Sequence, residues 1–410
     1  MVLTFLKQHL KQHEVIIFKE GEHNVEVVYV DHAATSPLHP EVIEAMLPYF
    51  RTYFGNPSSI HRVGRQARQA LDQARATIAR KLKVSEQNLV FTSGGTESDN
   101  MAIMGYSLEN QNLGKHIITS KIEHHAVLHA CQELEKRGFE VTYLPVDEAG
   151  RVSLNDVQKA LRDDTILVTL MFGNNEVGTT QPIREIGELL KDHQAVFHTD
   201  AVQACGVVHL QLDELPIDML SVSAHKINGP KGIGLLYVRE GIKLRPVLFG
   251  GEQERKRRAG TENVAAIVGF AKAMEIAVES IKEKQDRYQQ FARILIDTWT
   301  KEEVLFSING HQHERLPHVI NVSFLGVNIE SLLMNLDLAG IAASSGSACT
   351  AGSIEPSHVL VAMFGDSSER IQSAIRFSFG LDNTVEQIER VAKDTAIIVK
   401  RLGQQGEFIS

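Results

Sequence analysis

Cysteine is scarce in this chain: Cys131, Cys205 and Cys349 are the three in 410 residues, and no CxxC pair occurs. That spacing excludes a disulfide framework and any zinc or iron–sulfur site built by cysteines of one chain alone. Long apolar runs are also missing. Within residues 1–27 the stretch Val15–Phe18 falls far short of a signal-peptide core or a membrane span. The same region holds Glu14, Glu20, Glu22 and Glu26 but no arginine, which argues against a transit peptide. No targeting segment and no membrane association are expected. This extension reads as a poorly ordered or strand-like addition. Basic residues are outnumbered 42 to 51, a net charge of −9, which disfavours direct nucleic-acid binding. What remains is ordinary globular composition, 43% hydrophobic and 23% charged, enough for a sizeable core. A reducing, cytoplasmic setting fits the cysteine usage.

From about residue 88 short apolar runs alternate with amphipathic segments. The runs are Leu89–Phe91, His116–Thr119, Val141–Leu144, Ile166–Met171, Ala195–His198, Ile217–Val222 and Ile233–Val238. Between them, Ala126–Arg137, Leu154–Leu161 and Ile183–His193 read as helices. The alternation predicts an α/β domain with a mostly parallel sheet and a ligand site beyond the C-terminal strand ends. One long helix is expected over Val264–Thr300, interrupted early by Gly269. Fewer elements follow: strands near Val319–Phe324 and Ile375–Phe379, helices near Ile329–Leu338 and Val385–Leu402. The expected division is a large domain over 36–282 and a smaller α+β domain from 1–35 and 283–410.

Five segments carry chemistry. Phe91–Ser98 ends a strand and opens a helix with Gly94, Gly95 and Thr96, so backbone N–H groups and a helix N-terminus would meet an anion. An ordinary strand-to-helix turn reads the same way, and no Walker A lysine follows. Asp200, ending a buried strand, needs a partner, either a following turn or a cofactor pyridinium. Lys226, in Ser223-Ala224-His225-Lys226, follows an apolar strand directly. Desolvation there frees an amine for Schiff-base chemistry. Cys349 lies in the small polar run Ser344–Gly352, whereas Cys131 and Cys205 sit among apolar neighbours and read as inert. Arg376, inside Ala374–Ser378, needs an anion that its planar fork can hold.

In their order, these segments resemble the NifS/IscS-type cysteine desulfurases, pyridoxal-phosphate enzymes of the class V aminotransferase group. The resemblance runs from Val28 to about residue 400 and includes Ser223-x-His225-Lys226, Asn174-Asn175-Glu176-Val177-Gly178, Arg258-Ala259-Gly260-Thr261 and Ser344–Cys349. It implies fold type I, with a mostly parallel seven-stranded sheet in the large domain and the cysteine loop on the small one. Lys226 resembles the lysine that binds the cofactor and moves the substrate α-proton. Asp200 resembles the pyridinium partner, Gln203 the donor to the phenolic oxygen, and His124 the catalytic histidine that stacks on the ring and serves in proton transfer. Gly95, Thr96, Ser223 and His225 resemble the phosphate cradle. Thr261 resembles the phosphate ligand lent by a second subunit, which implies a homodimer. Asn175 and Arg376 resemble the groups holding the carboxylate of L-cysteine. Cys349 resembles the nucleophile that takes sulfur as a persulfide and passes it to an acceptor protein, an iron–sulfur scaffold or a thio-cofactor or tRNA-thiolation enzyme.

The chain departs from the family pattern at His32, where Asn or Tyr is usual; a packing role is expected, with a new proton donor as the alternative. A plain aminotransferase has no use for Cys349, and a sulfur-carrier scaffold has none for Lys226 and Arg376. Selenocysteine is chemically close enough to be a second substrate. The run Arg255–Arg258 reads as an interface or phosphate-side element, and His311-Gln312-His313 as a polar loop without a metal.

Overall fold

The computed structural model describes residues 26–345 and 356–406. Among these, the strands in chain order are β1 (Val28–Tyr29), β2 (Leu89–Thr92), β3 (His116–Ser120), β4 (Glu140–Leu144), β5 (Thr165–Thr169), β6 (Val196–Asp200), β7 (Met219–Ser223), β8 (Gly234–Val238), β9 (Ser307–Asn309), β10 (Val319–Ser323), β11 (Ile341–Ala342) and β12 (Ala374–Ser378). Seven form one sheet in the order β2-β8-β7-β6-β5-β3-β4. It is parallel except at β8, which runs against both β2 and β7.

The period-2 side-chain alternation of a strand explains how this sheet is buried on both faces. Leu89, Phe91, Ile118, Val168, Leu220, Val222 and Leu235 point to one side, where they pack with Ile78, Phe270 and Met274. Val90, Ile117, Leu167, Met219 and Leu236 point to the other, against Met101, Val127 and Cys131. Each of the seven sequence-predicted strands is present, with shifts at the ends. Both layers are helical, as alternating strands and helices require.

The single helix expected over Val264–Thr300 is two, Val264–Glu279 and Ile281–Lys301. Ser280 breaks it: its Oγ donates back to the Ile276 carbonyl at 2.7 Å, competing with the helical ladder. Nor does Gly269 interrupt the first helix. A Cβ there would lie 2.5 Å from Met46 Sδ, so glycine lets the helix Pro40–Arg51 approach.

The second sheet is antiparallel, in the order β12-β10-β9. Beside it β1 pairs in parallel with β11. Isolated bridges Asp31–Ser378 and Ser344–Arg376 stitch the two together. Residues 26–36 are thereby carried from the smaller sheet to the C-terminal edge of the larger one. No helix among the described residues is long and apolar enough to cross a membrane.

Candidate active site

Four parallel strands, β3, β5, β6 and β7, end on the same edge of the large sheet, and the turns after them supply the site. Lys226 closes the short 3-10 turn Ala224–Lys226 after β7. Its Nζ donates to the carbonyls of Ala33 and Ala34, the second at 2.9 Å. Burial, with help from Arg376, pushes the amine down to about 8, against the opposing pull of Asp31 and Asp200. Asp200 ends β6; it is buried and accepts the Val202 N–H at 2.9 Å. Its carboxyl is raised by burial and lowered by His124 and Lys226. His124 precedes the helix His125–Lys136 and caps it, Nδ1 accepting from the Ala126 N–H at 3.1 Å. In the neutral ring the proton therefore sits on Nε2. Desolvation lowers its pKa although the ring is open to solvent, which places it at a cleft mouth.

The turn Gly94–Gly95 opens the helix Gly95–Asn100. Gly94 has φ 154°, and its Cα would lie 2.6 Å from a Cβ on Gly234, so β8 and this turn touch backbone to backbone. A Cβ on Gly95 would come 2.7 Å from Val202 and 3.7 Å from Ser223. Thr96 is exposed on the first turn, and Ser223 ends β7. His225, its ring 3.1 Å from Thr35 Oγ1, is pushed down to about 4 by burial.

Residues 31–35 touch Lys226, His225, Gln203 and Arg376. Besides Lys226 and His225, Gln203 donates to the Ala33 carbonyl at 2.9 Å. Gln203 thus carries a backbone bond that the expected phenolic-oxygen role does not include. Asp31 answers the requirement of Arg376 for an anion: Nη2 lies 2.6 Å from its Oδ1, and Nη1 donates to the Asn175 carbonyl at 2.9 Å. Arg376 Nε is buried with no hydrogen-bond partner among the described residues. His32 is a packing residue. Its ring meets Tyr29 edge-on at 4.8 Å, lies where a side chain on Gly380 would fall, and is held neutral by burial at about 4.

Asp99 and Glu123, which the sequence did not single out, lie beneath this group. Glu123 accepts from Ser120 Oγ at 2.5 Å and from the Met171 N–H at 3.1 Å; burial pushes it to about 8. Asp99 is raised well above the usual carboxylate range by burial and by Asp200. Burial thus disfavours charge on both, whereas His124 and Lys226 oppose the same effect at Asp200. The signal for them was their place beside the glycine turn and His124.

Thr261 is exposed in the loop before the helix Val264–Glu279, apart from the residues gathered above. Cys349 lies outside the described residues. Cys131 and Cys205 are buried with their thiols pushed up, Cys205 to about 12. In the run Arg255–Arg258, Arg257 donates to the Gln87 carbonyl at 2.8 Å and Arg258 pairs with Glu97 at 2.8 Å. His311 Nδ1 accepts two backbone N–H groups, from His313 and Glu314.

A half-buried lysine with a depressed pKa, a buried carboxyl, a capping histidine and hydroxyls beside a helix start make a donor set that fits pyridoxal phosphate. The comparisons agree. The family model described as aminotransferase class-V matches residues 28–391. IscS 1 of Bacillus subtilis (strain 168) is 60% identical over 378 residues, 92% of this chain and 100% of that one. The cysteine desulfurase IscS of Methanosarcina thermophila is 52% identical, covering 92% of each chain. A solved NifS-like protein superposes with TM-score 0.86 at 37% identity, over 92% of this chain and 100% of that one. The chain belongs to the class-V aminotransferase family, among its pyridoxal-phosphate-dependent cysteine desulfurases of the NifS/IscS type.

Proposed function

We propose that this protein removes sulfur from L-cysteine, leaving L-alanine, and carries the sulfur on Cys349 as a persulfide before passing it to an acceptor protein. The observation that carries this reading is the meeting of two centres at one edge of the sheet. Lys226, Asp200 and His124 form one; Arg376, its buried Nε without a hydrogen-bond partner among the described residues, and Asn175 form the other.

Pyridoxal phosphate, when bound, accepts the electron pair released as the α-proton leaves. Asp200 would hold the ring nitrogen, Ser223, His225, Thr96 and the Gly94–Gly95 turn the phosphate, and Gln203 the phenolic edge. A lysine amine near pKa 8 is free often enough at neutral pH to bind the cofactor and to take the α-proton. Arg376 would seat the substrate carboxylate through Nε–H, with Asp31 and Asn175 holding the rest of its fork. The Cys349 thiolate attacks the substrate sulfur. The new S–S bond forms as the C–S bond breaks, its electron pair stays with carbon, and that carbon takes a proton to become the methyl group of alanine.

The exposed Thr261 supports a homodimer in which each subunit lends this residue to the other's cofactor phosphate. An acceptor on an iron–sulfur, thio-cofactor or tRNA-thiolation route would collect the sulfur, and two buried, unpaired cysteines suit a reducing compartment such as the cytoplasm.

The test is alanine released from L-cysteine in the presence of a reductant, wild type beside Cys349→Ala. Alanine from the wild type alone supports the reading. Equal release by both would take Cys349 out of the mechanism.

A further inference from the structure

Both feet of the segment that carries Cys349 are fixed to the carboxylate-holding centre. Upstream, Ser344 pairs antiparallel with Arg376 itself, its carbonyl accepting the Arg376 backbone N–H at 2.7 Å. Downstream, Ser357 caps the helix His358–Phe364: its Oγ accepts from the Leu360 N–H at 3.1 Å. The single hydroxyl proton of Ser357 goes to Glu176 Oε2. Glu176 adjoins Asn175, whose carbonyl holds Arg376. Asn174 Oδ1 locks this turn by accepting the N–H groups of Glu176 and Val177, each at 2.9 Å. His358 adds a second tie, with Nε2 2.9 Å from the carbonyl of Glu123, the neighbour of His124. Ser345, Pro356 and Ser357 line one cavity of roughly 190 Å³, so the chain leaves and returns at one place.

Glu176 and Ser357 have no part in the chemistry assigned above, yet both are buried. Burial raises the Glu176 carboxyl, against the opposing effects of Ser357 and Arg376. A buried carboxyl costs stability that an apolar side chain of the same volume would not. What this one gains is a directional bond between two loops.

We propose that Glu176 and Ser357 are positioning residues for sulfur transfer. Their bond fixes the downstream foot of the Cys349 segment to the Asn175–Arg376 seat, so that foot and the substrate carboxylate share one frame. This rests on the reading of Cys349 as sulfur acceptor.

The holoenzyme tests it through two readouts. One is the Kd of L-alanine, from the change in bound-cofactor absorbance, which reports the carboxylate seat. The other is the rapid-quench rate at which sulfur appears on Cys349, read by mass spectrometry. A thiol displaced by about 1 Å from its line of attack slows transfer by up to roughly 100-fold. Ser357→Ala is expected to slow sulfur arrival by roughly 10- to 100-fold with L-alanine binding unchanged, and Ser357→Thr, which keeps the hydroxyl, to recover most of the rate. Should Ser357→Ala fail to fold, Glu176→Leu removes the acceptor at nearly the same volume, and the same split is expected. An undiminished rate in these variants overturns the proposal, as does a loss matched by weaker alanine binding or one the threonine does not recover. If the wild type itself places no sulfur on Cys349, the reading beneath fails and takes this inference with it.

Discussion

Lys226 sits where a charge is costly, between the end of a buried strand and the carbonyls of Ala33 and Ala34. Burial lowers its pKa from an ordinary lysine's 10.5 to about 8, so between those values the unfolded chain binds a proton that the folded one does not. Stability of the cofactor-free protein therefore rises with pH across that window, and the cost of the buried charge is fully present below pH 8. The same shift governs chemistry. Below about pH 8 the free-amine fraction falls tenfold per pH unit, so cofactor uptake by the stripped protein should slow in proportion and level off above that pH. Growth of the visible absorbance after mixing measures it. A rate flat from about pH 6 to 9 would show that Lys226 is not the amine that limits binding. The lysine, Asp200 and Arg376 were legible because each is a polar group at or in an apolar strand, a pattern that demands a partner. Asp31 was not legible, since nothing in a linear sequence tells a carboxylate that it will lie 2.6 Å from an arginine 345 positions away.

The seven strands were readable from continuous apolar runs, and their helices from period 3.6, because burial on both faces leaves a strong compositional trace. The break at Ser280 was not readable, since a single serine is also tolerated inside helices; its bond to the Ile276 carbonyl decides the matter. Nor was the reason for Gly234, the second residue of the apolar run Ile233–Val238. Its backbone lies against Gly94, so any side chain there pushes the Gly94–Gly95 turn away from β8. Gly234→Ala should lower stability by about 1–3 kcal/mol, the range for overpacking a filled core. It should also weaken cofactor retention, because the turn moves with the clash. Thermal unfolding and the absorbance remaining after dialysis measure the two effects. A variant that loses neither would mean that the backbone contact relaxes at no cost.

A folded chain that leaves Ile60 90% exposed and Phe249 77% exposed has apolar surface without a partner of its own. Phe50 and Phe54 add to it on the stretch leading to Ile60. Large exposed apolar side chains are enriched at interfaces, and a second copy of the same chain is the commonest partner. In a twofold dimer the same residues serve both subunits, and an exposed Thr261 from each can face the other's cofactor pocket. Assembly and cofactor binding then become one equilibrium. Sedimentation should give a dimer for the wild type, and Ile60→Glu with Phe249→Glu a monomer that keeps its helical circular dichroism yet releases cofactor. Thr261→Ala separates the two effects: it should remain dimeric while cofactor affinity falls by about 1.4 kcal/mol, roughly tenfold, for one lost hydrogen bond to a charged group. If the double variant is monomeric and holds cofactor as tightly as the wild type, each subunit's site is complete on its own, and Thr261 has no place in it.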